Sequence, residues 1–184
     1  MSAVNWEEYH AALKKQGIKI RKGLSDSEFN DIEKTFEFCF PPDLKAFLSI
    51  GLPVSKGWVN WRGDSRKSIQ ERLDWPYDGM CFDIEHDGFW MSDWGDKPES
   101  LTECFEVARQ AILAVPRLIP VFLHRYIPDS PAEEGNPIFS VYQTDIIYYG
   151  SSLGNYLDNE FKLSSSELVG TPKIIPFWSK LAEW

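Results

Sequence analysis

The chain has 184 residues, 43% of them apolar, with 19 basic against 28 acidic side chains and a formal net charge of −9. That length and apolar content suit one domain, 1–184, with a substantial core, and the charge argues against direct nucleic-acid binding through phosphate neutralisation. The longest apolar stretch, Ala111 to Leu123, is broken by Pro116, Arg117 and Pro120 and falls short of the ~20 residues a membrane helix needs, so no membrane partner is expected.

Met1 to Asn5 and the following Trp6-Glu7-Glu8-Tyr9 hold no basic segment leading into a long apolar one, which predicts a cytosolic chain without a secretory signal. Cys39, Cys81 and Cys104 each adjoin a phenylalanine and are expected as reduced, buried thiols rather than a disulfide framework.

In chain order, Ser25-Asp-Ser-Glu28 is a capping-box pattern, and Phe29, Ile32 and Phe36 follow at helical spacing. Pro41-Pro42-Asp43 opens a second helix with Leu44, Phe47 and Leu48 on its apolar side, ended by Gly51 and Pro53. Trp58 to Trp61 reads as a short extended piece. Asp64 to Leu73 reads as a third helix capped by Asp64, with Ile69 and Leu73 inward. Met80 to Glu85 alternates as a strand, and His86-Asp87-Gly88 would turn it into Phe89-Trp90-Met91 as a hairpin.

Ser100-Leu-Thr-Glu103 is a second capping box, opening a helix with Leu101, Phe105, Ala108 and Ile112 on one face and stopped by Pro116. Leu118 to Tyr126, Ile138 to Tyr142 and Ile146 to Tyr149 read as strands, with Gln143-Thr144 as a turn. Ser151 or Ser152 caps a helix through Tyr156, Leu157 and Phe161. A polar segment, Lys162 to Thr171, follows, and Phe177 to Trp184 is expected as a small terminal helix. Helices gathered early and strands grouped later favour α+β, with a central, largely antiparallel sheet, over regular alternation of parallel units.

The charge is unevenly placed. From Asp74 to Glu106 stand Asp74, Asp78, Asp83, Glu85, Asp87, Asp93, Asp96, Glu99, Glu103 and Glu106 against Lys97 alone, interleaved with Trp75, Tyr77, Phe82, Phe89, Trp90, Trp94 and Phe105. Such a run is either a solvated face or a recognition surface that steers and holds a basic protein. On the second reading the contact residues are Asp83, Glu85, Asp87, Trp90, Asp93, Trp94 and Asp96.

Enzymatic signals are sparse. His10, His86 and His124 share no zinc spacing with the cysteines, and a nucleophilic pair such as Cys81 with His124 competes with plain burial of the thiol. Asp83 to Gly88 imitates the first half of a calcium loop, but Trp94 stands where the closing glutamate belongs. Asp83 and Glu85 would share one side of the expected strand, which is weak support for acid-base work. No phosphate loop, serine elbow or kinase set is present. The expectation is a non-enzyme without metal or cofactor. At His124-Arg125-Tyr126 an anion-binding pocket competes with a plainer reading, in which Arg125 pairs with an acid and His124 is half-buried.

Phe40-Pro41-Pro42-Asp43-Leu44-Lys45-Ala46-Phe47-Leu48, Cys81-Phe-Asp-Ile-Glu85 through Gly88-Phe-Trp90, Trp94-Gly95, Leu118-Ile-Pro-Val121 and Gly135-Asn-Pro137 through Gly150 resemble the SUKH superfamily. Within it the chain looks most like the Smi/Knr family, named for yeast cell-wall-assembly regulators, and the resemblance covers about residues 25–161. It implies an α+β domain and a role in protein recognition; many bacterial relatives are similar to immunity proteins that neutralise polymorphic toxins, often nucleases. The reading is a toxin-binding immunity protein. The rival is an intracellular regulator or scaffold recognising a housekeeping partner, or a small ligand near His124 and Tyr142. Eight tryptophans leave room for a homo-oligomer surface.

Overall fold

A computed structural model describes residues 4–163 and 170–182. Helices α1 (Trp6–Lys15), α2 (Asp26–Phe36) and α3 (Pro42–Ile50) gather first, with strands β1 (Ile20–Lys22) and β2 (Gly51–Pro53) paired antiparallel. Helices α4 (Arg66–His86) and α5 (Leu101–Leu113) precede strands β3 (Leu118–Phe122), β4 (Arg125–Pro128), β5 (Ile138–Tyr142) and β6 (Asp145–Gly150). Helices α6 (Leu153–Phe161) and α7 (Trp178–Ala182) close the described chain. The fold is α+β, and its larger sheet is an antiparallel meander in the order β3-β4-β5-β6.

Period-two alternation sends successive strand side chains to opposite faces of that sheet, and helices cover both. Ile119, Val121, Ile127 and Ile138 join Phe29, Phe47, Trp58 and Leu157 in one core. Leu118, Tyr126, Phe139, Val141 and Ile146 join Met80, Ile84, Ala108 and Trp178 in the other. Burial on both faces explains why these strands read as nearly continuous apolar runs.

Helix α4 corrects the central part of the sequence reading. Residues 80–85 are helical, and the hairpin expected through Phe89-Trp90-Met91 is not formed. Pro76 has no N–H for the carbonyl four residues earlier and would ordinarily break a helix. That carbonyl, on Arg72, instead accepts from the buried Tyr126 hydroxyl at 2.8 Å, so a tertiary partner takes over the missing bond. Ile69, Leu73, Pro76, Met80 and Ile84 then continue one buried stripe at helical period. The true cap is Ser65, whose side chain accepts from Ser68 N, while Asp64 accepts from Asn60 N.

Other departures are local. The expected strand from Leu118 to Tyr126 is two strands, turned at Leu123 with φ 48°. Trp58 makes one isolated bridge to Phe122 rather than opening a strand. In α5 the buried positions are Cys104 and Ala108, and Leu101 is exposed. Of the three cysteines only Cys104 is buried; Cys39 is exposed and Cys81 intermediate. Helix α1, which the sequence reading missed, starts at Asn5, whose side chain accepts from Glu8 N. Residues 183–184 of the expected terminal helix, and 164–169 of the polar segment, lie outside the described residues.

Candidate partner-binding surface

Helix α4 is fixed laterally on the end of β5 and the β5–β6 turn by three residues spaced four apart, which share one helix face. Trp75 Nε1 donates to Val141 O at 3.2 Å. At Gly79 an added Cβ would stand 2.7 Å from Gln143 Cα, so only glycine allows this approach. Asp83 Oδ2 accepts from Thr144 N at 2.8 Å and from Thr144 Oγ1 at 2.5 Å. On the opposite flank α4 meets α5: Tyr77 OH donates to Phe105 O at 3.1 Å, and the Arg109 guanidinium lies 4.3 Å over the Tyr77 ring. Lys97 Nζ closes the far end of this pair, donating to Ile84 O at 3.1 Å.

With one edge on the turn, one on α5 and the buried stripe inward, the fourth side of α4 faces solvent. At about 100° per residue that side carries Glu71, Trp75, Asp78, Phe82 and Glu85, all exposed. Trp75 is 44% and Phe82 47% accessible. Acids and rings alternate along this face, and Phe82 stacks on His86 with ring centroids 4.2 Å apart. Beyond it the loop 87–100 and the start of α5 add exposed Asp87, Asp96, Glu99 and Glu103. Among the described residues, Glu85, Asp87, Asp96, Glu99 and Glu103 make no ion pair.

Several residues expected at the surface have other roles. Asp83 is buried and held by Thr144, so it belongs to the fold and not to a contact face. Glu85 points outward from the same helix, and the carboxylate pair expected on a strand is not formed. Asp93 is exposed but bonded to Lys180, whose ammonium holds its carboxyl below the usual range. Trp90 and Trp94 are half-buried and pack together, 5.1 Å between centroids, with Trp94 stacked on Phe177. The Trp90 indole donates to Gly95 O at 2.8 Å. The loop rings brace this corner; Phe82 is exposed, and Trp75 leaves much of its ring exposed while its indole N–H stays bonded to Val141 O. The sequence reading counted both among the rings of the acidic stretch but left them out of the contact set, because it ended the third helix at Leu73 and took 80–85 as a strand; continuing the helical period from Leu73 would have placed both opposite Met80 and Ile84.

Burial, with neighbouring charge second, sets the titrations at Asp78 and His124. Burial, then the negative charge of Asp74, pushes the Asp78 carboxyl up, and Arg109 partly offsets both. Burial also raises the Cys81 thiol, the reverse of what nucleophilic use requires. At the sheet end, Arg125 lies 3.7 Å over the Tyr149 ring, donates to Ser140 Oγ at 3.1 Å and stands 3.9 Å from Glu160 Oε2. His124 is half-buried, and burial followed by the Arg125 charge lowers its pKa. The plainer reading of this corner therefore holds: its arginine is occupied by the protein's own groups.

No helix among the described residues is long and apolar enough to cross a membrane. Comparison with protein-family models, curated proteins and solved structures finds no match to the chain.

Proposed function

We propose that this chain is a non-enzymatic, cytosolic protein-binding domain of the immunity type, which blocks a basic toxin domain by sitting on it. The outer face of α4 carries the reading: Trp75 and Phe82 stand exposed between Asp78 and Glu85. Large exposed rings are unfavourable on a free surface and become anchors once a partner buries them. Unpaired carboxylates around them speed encounter with a cationic partner and discriminate against acidic ones. The resemblance to SUKH immunity proteins supports the same reading, since a nuclease presents a basic cleft to its substrate. Inhibition on this account is steric and electrostatic and needs no chemistry.

The test is affinity capture from the native cell with wild-type chain and with a Trp75→Ala, Phe82→Ala variant. Ring removal is expected to weaken the captured partner's affinity at least about tenfold, the scale of an interface hot spot. A partner held equally by both forms contradicts this surface.

A further inference from the structure

A cavity of about 690 Å³ lies where α4, the end of α5 and the start of β3 meet, a volume within the range of small-ligand sites. Leu73, Pro76, Ile112, Val115 and Leu118 give it apolar walls. Leu113, which also lines it, is 72% exposed, so a large apolar side chain stands open to whatever enters.

The polar lining is Glu37, Asp74 and Asp129 against Arg109 and Arg117, one negative charge in excess. The three carboxylates form no ion pair among the described residues, whereas both arginines are engaged. Arg117 donates to Phe36 O and Glu37 O, where it compensates the negative end of α2. The Arg109 guanidinium lies over the Tyr77 ring. Helix α5 also ends at this cavity, and its last turn holds no basic residue, so the negative end of its dipole is uncompensated there. Asp74 accepts from the Gln70 amide through Oδ1 at 2.9 Å, which leaves its other oxygen for a cation. Burial pushes the Asp129 carboxyl up, and the Arg117 amide only partly offsets it.

We propose that this cavity binds a small organic amine, a protonated primary amine carried on an apolar body. The ammonium meets the unpaired Asp74 and Asp129 carboxylates and the end of α5, and charge-assisted hydrogen bonds of this kind are the strong ones. The apolar body lies against Ile112, Val115 and Leu118 and covers Leu113. An anion of the same shape would face three carboxylates and a helix C-terminus, with both arginines already in use. The inference does not depend on the partner surface, because neither Trp75, Phe82 nor Glu85 lines the cavity.

The test titrates the full chain at neutral pH and constant ionic strength with 2-phenylethylamine, and with 2-phenylethanol and 3-phenylpropionate as neutral and anionic probes of similar size. Amide signals of Ile112, Val115 and Leu118 report binding. The amine is expected to saturate, about tenfold more tightly than the alcohol, and the acid to give no saturable shift. An Asp74→Asn, Asp129→Asn variant should bind the amine about tenfold more weakly, and Glu85→Lys should bind it as wild type does. Should the double variant prove unfolded by circular dichroism, the order of the three probes on the wild-type chain still decides. No saturation by about 10 mM amine, binding of the alcohol or the acid as tight as that of the amine, or equal affinity in a folded double variant overturns the proposal.

Discussion

Burying a carboxylate is costly unless hydrogen bonds replace the lost water, and Asp83 obtains two of them from Thr144. Its removal strands the Thr144 amide at a turn pressed against α4. Asp83→Ala should therefore lower stability by about 2 kcal/mol in urea unfolding, whereas an effect within error would show the pair to be incidental. His10 gives a second prediction at this scale. Burial holds the His10 ring below its ordinary 6.5, and His124 shifts the same way, so the unfolded chain takes up protons more readily than the folded one. Stability from these groups is present above pH 6.5 and is lost as pH falls below it. Asp43 and Asp129, raised by burial, act in the opposite sense, losing stability as pH rises above the ordinary 3.8. His10→Phe should flatten the fall in stability between about pH 7 and 5.5, and an unchanged slope would contradict burial of a neutral ring.

Helix α4 shows at the level of elements what could and could not be read from the sequence. Its start was legible, since Ile69 and Leu73 already mark the inward stripe. Its continuation was not, because Pro76 is a helix breaker whose compensation comes from Tyr126, fifty residues further along the chain. Six residues from Met80 also satisfy a period of two as well as a period of 3.6, so the misreading as a strand was local ambiguity resolved by packing. By contrast α2, α3 and the β5–β6 hairpin carry their own caps, breakers and turn, and were recovered close to their true bounds. Tyr126→Phe should cost about 1 kcal/mol and loosen α4 around Pro76, seen as faster amide exchange from 72 to 80. Gly79→Ala pits a helix-propensity gain of about 1 kcal/mol against a Cβ 2.7 Å from backbone. Because Gln143 Cα cannot swing aside as a side chain would, net destabilisation is expected in thermal unfolding. A stabilised variant would mean that the turn yields.

Across the whole molecule, charge is segregated: an acidic, ring-bearing face on α4 and α5, and a basic stretch where α1 meets β1. The acidic face was visible as a count of residues, but its membership was not. Folding withdrew Asp83 into the interior, tied Asp93 to Lys180, and turned Trp90 and Trp94 into packing. Glu85, Asp87 and Asp96 remained exposed as expected. The most direct measurement of the central claim is the rate at which the chain associates with its captured partner. Wild type and a Glu85→Lys, Asp96→Lys variant should be compared from about 50 to 500 mM salt. The account predicts fast association that falls steeply with salt for wild type, and slower association with a shallow salt dependence for a variant of unaltered fold. Equal rates and equal salt slopes for the two forms would contradict it.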